Sequence, residues 1–256
     1  MTSSSLGTTD VVRRSQDRFA EILDTLTPEQ MTAPSYDDEW SIADVASHLG
    51  SQAEIFALYL EAGLEGAEPP AREDFPPIWD RWNAKPPTDQ VSDSVAANEA
   101  LVTRIEGIPI GERDGFQVEM FGGTRDLAGL TSMRLGEHAV HTWDIAVALD
   151  PTATVAQDAV DLLVDALPAT AARSGRPVRG AAPVVVATTE PAYTFRVALD
   201  PEVSLNAVDG VAADLAMPAE AFLRLVYGRL DAAHTPSSVT GDTARLDDLR
   251  RAFPGF

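Results

Sequence analysis

The sequence predicts an N-terminal all-α four-helix bundle, residues 1–150, followed by a small α+β domain with a mainly antiparallel sheet, residues 151–256. Three observations carry this expectation. Four stretches in the first part repeat apolar residues at steps of three and four, the signature of amphipathic helices. The character of the chain changes after Pro151. Beyond it, short β-branched and aromatic runs separated by turn residues replace the helical spacing.

In the bundle, Val11, Val12, Phe19, Ile22, Leu23 and Leu26 mark a first helix over residues 8–26. A second is predicted over 42–62. Ser41 stands where a helix cap belongs and Asp44 follows three residues on, as in a capping box. Residues 63–87 are rich in Pro, Glu and Gly but also hold Phe75, Ile78, Trp79 and Trp82, so an ordered excursion packed on the bundle is expected. A third helix fits 88–107, and a glycine-containing loop follows to 123. A fourth helix runs over 124–149 and stops before Pro151, because the residue preceding a proline is pushed out of the helical region. In the second part, one helix is expected over 155–172. Strands are expected near 183–187, 192–197 and 203–208, and helices near 218–230 and 246–253.

The bulk composition narrows the function. The chain carries 40 acidic against 19 basic residues, a net charge of −21, and Lys85 is its only lysine. Such a surface repels nucleic acid and anionic lipid. Cysteine is absent, which excludes disulfides, thiolate metal sites and a cysteine nucleophile within the chain. Any metal must be held by His, Asp or Glu. The polar start lacks the basic and apolar regions of a signal peptide, and a cytoplasmic location is expected.

The fourth helix holds the informative stripe. Leu127, Leu130, Arg134, Glu137, His141, Asp144 with Ile145, and Ala148 share one face. A carboxylate and an imidazole facing a core are costly unless they pair or bind a metal. Glu137 and His141 are four residues apart, which places their Cβ atoms about 5–6 Å from one another. On the second helix, His48 shares a face with Val45, Gln52 and Ile55. Two His and one Glu suit zinc in an open site, and equally a facial triad for ferrous iron. Spacing alone leaves the plainer readings open: Glu137 and His141 as an ion pair on the helix, and His48 as a satisfied core histidine. His138, about 100° around the helix from Glu137, is expected on the flank and not as a ligand. His234, before Pro236, is expected to be solvated.

Residues 40–49, 80–84 and 134–144 together resemble the mycothiol-dependent maleylpyruvate isomerase family of the DinB-like metal-binding superfamily. Weaker matches at 210–215, 227–229 and 241–242 extend the resemblance over nearly the whole chain. It implies that His48, Glu137 and His141 bind a divalent metal, zinc foremost. It also implies a small-molecule thiol cosubstrate, mycothiol, whose thiolate adds to a small electrophile. An isomerase would expel the thiol again, and a thiol S-transferase would keep it on the product. Arg81 and Asn83 are then expected to hold the thiol or an anionic substrate. Arg81 and Arg229 are expected to be catalytic, with Arg229 on the C-terminal helix gripping a substrate carboxylate through two hydrogen bonds. For each arginine an ordinary ion pair is the plainer reading. Asp144 is expected to orient His141, and Arg134 to act structurally. A non-catalytic metal- or small-ligand-binding protein of the same superfamily is the alternative, because one fold hosts many functions. Neither nucleic acid nor membrane is expected as a partner, and monomer and homodimer are both open.

Overall fold

A computed structural model describes residues 4–37 and 39–255. The chain forms two compact units, Met1–Ala153 and Thr154–Phe256. The first is helical and the second is built on a mixed sheet.

The first unit contains α1 (Ser4–Asp24), the single turn α2 (Pro28–Met31), α3 (Ile42–Glu65), α4 (Pro76–Asn83), α5 (Pro87–Glu106), the single turn α6 (Ile110–Arg113), strands β1 (Val118–Met120) and β2 (Gly123–Arg125), and α7 (Leu127–Leu149). The long helices are α1, α3, α5 and α7. Each of α1 and α3 packs against both α5 and α7. Four long helices were expected; the short helices and the hairpin are added to them.

Local chemistry fixes the two helices that matter most. At the start of α3, Ser41 Oγ accepts from Asp44 N at 3.1 Å and Asp44 Oδ2 accepts from Ser41 N at 3.0 Å, the reciprocal capping box. The helix ends at Gly66, whose φ of +63° suits a residue without Cβ. At the start of α7, Asp126 accepts from Gly129 N at 2.7 Å. The fourth helix therefore begins at Leu127, not 124, because Thr124 pairs with Glu119 across the β1–β2 hairpin.

Residues 63–87 are ordered, with α4 at their centre and Ile78 and Trp82 buried. The Trp82 ring lies so close to Gly50 of α3 that a Cβ there would sit 2.3 Å from it. Trp82 Nε1 also donates to Glu54 Oε1 at 2.8 Å. These two contacts clamp α4 onto α3.

The second unit runs α8 (Gln157–Leu163), a 3-10 turn (Val164–Ala166), α9 (Leu167–Ser174), β3 (Val184–Thr189), β4 (Thr194–Ala198), β5 (Ser204–Ala207), β6 (Leu215–Pro218), α10 (Ala219–Val226), β7 (Thr240–Gly241) and α11 (Thr243–Ala252). The single helix expected over 155–172 is thus broken. Pro168 stands in the first turn of α9, where its missing N–H breaks no helical bond, and it could not sit in a continuous helix. The strand order is β5-β4-β3-β6-β7. The expectation of a mainly antiparallel sheet is corrected to a mixed one: β6 runs parallel to β3 at the sheet centre, while the other pairings are antiparallel. Val184, Val185 and Val186 are all buried, the continuous apolar run of a strand covered on both faces. Beneath it, Arg224 is buried against Glu220, with Nε to Oε1 at 2.6 Å and Nη2 to Oε2 at 3.0 Å.

Candidate metal centre

His48 comes from the middle of α3, and Glu137 and His141 from successive turns of α7. One ligand atom from each lies within 4.8 Å of the others. Glu137 Oε2 is 3.7 Å from His48 Nε2 and 3.7 Å from His141 Nε2. The two imidazoles meet edge to face, with centroids 4.6 Å apart. For comparison, two ligand atoms on a tetrahedral zinc, each about 2.1 Å from the ion, stand about 3.4 Å apart.

A second observation bears on the fit. His48 Nε2 is buried and has no hydrogen-bond partner among the described residues. A buried nitrogen left without a partner costs about 1–3 kcal/mol, and a metal ion would relieve that cost. The donor set of two imidazoles and one carboxylate suits a divalent cation such as zinc or ferrous iron. These residues therefore fit the metal that the resemblance implies.

The surroundings hold the ligands in the required state. Asp144 Oδ2 is 2.8 Å from His141 Nδ1, as expected of a residue orienting that ring. Burial opposes the charge on Glu137, but His48, His141 and Arg134 outweigh it and bring the carboxyl down to about 2. Burial, against the pull of Glu137, lowers the His48 imidazole below its usual range, which favours the neutral ring that a metal needs.

Arg134 was expected to be structural and to pair with an acid in the bundle; it is structural, but its hydrogen bonds go to neutral acceptors. It is buried one turn before Glu137, and its Nη2 donates to the Leu49 carbonyl at 3.1 Å and to Asn98 Oδ1. Asn98 in turn donates to Ser94 O at 2.8 Å. The network ties α3, α5 and α7 together behind the cluster. Burial brings the guanidinium down to about 10, with Glu137 opposing the shift.

His138 is outside the cluster, as expected of a neighbour on the flank. It is buried between α1 and α7, with Nδ1 2.9 Å from Ser15 Oγ and its ring edge-on to Phe19 at 5.1 Å. His234 is not simply solvated, since Nδ1 lies 2.9 Å from both carboxylate oxygens of Asp231.

A cavity of about 530 Å³ opens beside His48, and Trp40, Trp79, Gln52 and Asn83 line it. Trp40 is brought there by the loop before α3. Within that loop Ser35 N donates to Trp40 O at 2.9 Å, and Tyr36 N donates to the Asp144 carbonyl at 3.0 Å. The Trp40 ring is 5.3 Å from that of His48.

The other expected residues divide. Asn83 lines the cavity, 3.5 Å from Ser47 Oγ through Oδ1. Arg81 is ion-paired with Glu54 and is not among the lining residues. Arg229 is not on a helix: α10 ends at Val226, and Arg229 follows a turn at Gly228, whose φ is +75°. Its Nη1 donates to Tyr227 O at 2.7 Å.

Residues 12–146 match the family described as mycothiol maleylpyruvate isomerase N-terminal domain. A crystal structure of the mycothiol-dependent maleylpyruvate isomerase has a similar fold, with a TM-score of 0.66 at 13% identity, covering 93% of each chain. A histidine-to-alanine mutant of a protein so named gives a TM-score of 0.64 at 12% identity, covering 88% of this chain and 89% of that one. Likeness at these identities speaks for the fold. No curated protein matches the chain at a significant level. No helix among the described residues is long and apolar enough to cross a membrane.

Proposed function

Since the chain belongs to the mycothiol maleylpyruvate isomerase family, with its N-terminal domain over residues 12–146, we propose that it is a metal-dependent enzyme using a low-molecular-weight thiol such as mycothiol. Its reaction is isomerisation of, or thiol transfer to, a small electrophile. The observation that carries this is the His48, Glu137 and His141 cluster, with the buried Nε2 of His48 lacking a partner next to an open cavity.

His48, Glu137 and His141 would hold the divalent metal. When bound, the metal supplies Lewis acidity that lowers the pKa of a thiol as it does that of water. The protein's own groups prepare the site. Asp144 accepts from His141 Nδ1–H and leaves Nε2 with its lone pair. Arg134 and the two imidazoles keep Glu137 ionised. Trp40 lies beside His48, with the ring centroids 5.3 Å apart. Asn83 is assigned to the thiol cosubstrate. Arg81 would receive an anionic group by exchanging Glu54 for it, and Arg229 is assigned to a substrate carboxylate.

The test is to supply the metal-loaded full chain with mycothiol and a panel of activated alkenes, including cis-dicarbonyl alkenes. Cis–trans conversion with the thiol returned identifies an isomerase, and loss of thiol into product identifies a transferase. Absence of both, with metal bound, would overturn the enzyme reading in favour of a non-catalytic binding protein.

A further inference from the structure

A second cavity, of about 630 Å³, lies in the helical unit between α1, α2 and α5. It shares no lining residue with the cavity beside His48. Its base is apolar. Leu23 and Val91 are buried in the core beneath it. Leu26, Met31 and Val95 pack against that core but stay partly open. The helical steps account for this arrangement. Val91 and Val95 are four apart on α5, and Leu23 and Leu26 three apart on α1, so each pair presents one face. Met31 closes the single turn α2 and adds an adaptable side chain.

The same steps set a polar rim. Glu21 and Asp24, three apart on α1, are exposed and line the groove, as do Thr88 and Ser92, four apart on α5. Among the described residues neither carboxylate has an ion pair or a side-chain hydrogen bond. In a chain with 40 acidic and 19 basic residues an unpaired carboxylate is common. What sets this pair apart is the open apolar surface beside it. No Lys or Arg and no aromatic ring is among the lining residues.

Each class of occupant meets this groove differently. An anion would approach Glu21 and Asp24 with no lining cation to offset the repulsion. A second copy of this chain, at a net charge of −21, would bring further acids to the same rim. A sugar or a nucleobase would find no ring to stack on. A quaternary ammonium has no N–H to donate, and the lining has no aromatic face to hold it. A protonated amine on an aliphatic chain meets both parts: the chain covers the apolar base, and the ammonium gives its N–H groups to the carboxylates. The volume is that of a small-molecule site, so the occupant is a free amine and not a protein segment.

We propose that the groove between α1, α2 and α5 is a binding site for a small aliphatic amine in its protonated form. Glu21 and Asp24 hold the ammonium, the hydroxyl oxygens of Thr88 and Ser92 offer further acceptors across the groove, and Leu26, Met31 and Val95 receive the chain. The proposal goes beyond the reaction at the metal centre and does not depend on it.

The experiment titrates the full chain, with zinc present, with octylammonium at low ionic strength, followed by calorimetry. Butylammonium, octanoate and octanol are titrated beside it. The same series is run on Glu21→Gln/Asp24→Asn and on Glu65→Gln/Glu68→Gln, which removes two exposed carboxylates outside the groove. All four side chains are exposed, so both proteins keep the fold. Saturable binding of one octylammonium per chain is expected, at least about tenfold tighter than butylammonium because four more methylenes are covered. Octanoate should not bind. The groove variant should bind octylammonium about fivefold more weakly, the size of two exposed ion pairs, and the control variant as the parent does. Absence of saturable octylammonium binding would overturn the proposal. Equal weakening in the two variants would overturn it too, because the attraction would then be the diffuse charge of the whole surface. Octanol bound as tightly as octylammonium, or butylammonium as tightly as octylammonium, would each remove one half of the site and overturn it as well.

Discussion

The carboxylate of Asp144 lies 2.8 Å from Nδ1 of His141, one turn back along α7, and its side chain is only 2% exposed. An ionised carboxylate can only accept, so Nδ1 carries the proton and Nε2 faces Glu137 as a lone pair. The pair fixes both the tautomer and the ring angle.

Asp144→Asn keeps the size of the group but lets the amide present either a donor or an acceptor. Metal affinity is expected to fall about 10- to 100-fold, the usual effect of losing such a partner. Competition with a chromophoric chelator measures this. Unchanged affinity would show that the contact does not organise the site.

The metal-free protein should lose stability as the medium is acidified. Burial lowers His48 below the usual imidazole value of 6.5 and His138 well below it. The unfolded chain therefore takes up protons near 6.5 that the folded chain refuses, and the stability these groups lend above that pH declines below it. Glu137, brought down to about 2 from 4.5, has the same sign: its contribution is present above 4.5 and is lost as the pH falls toward 2. Urea midpoints measured from pH 7.5 to 4 should fall steadily. A midpoint that rises on acidification would contradict this.

Gly50→Ala is expected to destabilise the first unit, although alanine is the better helix former by about 1 kcal/mol. The added Cβ would lie 2.3 Å from the Trp82 ring, and overpacking of this kind costs about 1–3 kcal/mol. Because Trp82 anchors α4, which carries Trp79 and Asn83, cavity binding should weaken as well. Thermal unfolding gives the sign, and a variant more stable than the parent would refute the clamp.

In the second unit, Glu220→Ala leaves the buried Arg224 guanidinium without its carboxylate and removes the acceptor of Val155 N at 3.0 Å. Breaking one side of a buried pair costs about 3–5 kcal/mol. Denaturant unfolding of the full chain, read by circular dichroism, should show an early transition for this unit.

What could be read in advance follows physical lines. α3 and α7 were legible because their ends carry local chemistry: the Ser41–Asp44 box in one, and the proline after Asp150 in the other. The metal cluster was legible in part. A three- or four-residue step places Glu137, His141 and Asp144 on one face, whereas pairing that face with His48 needs the contact of two helices, which came from the resemblance. The β1–β2 hairpin was missed because three-residue strands such as Val118–Met120 are too short to show alternation. The parallel β3–β6 pairing was missed because β6 itself, four residues at Leu215–Pro218, was not expected as a strand, and its partners lie 29 residues away, as Val186 does from Leu215. The burial of His138 was not legible because its surroundings, Ser15 and Phe19, are set by α1, over a hundred residues earlier. Arg81 and Arg229 were expected from the resemblance and from guanidinium chemistry, and neither reveals that Glu54 and the Tyr227 carbonyl already receive them.

The measurement that bears most directly on the central claim is the metal content of the purified chain beside His48→Ala and Glu137→Ala, with folding checked by circular dichroism. The account predicts about one divalent ion per parent chain and little in either folded variant. A parent that holds no metal after reconstitution with zinc and with ferrous iron would contradict it, and these residues would then be a polar network of the helical core.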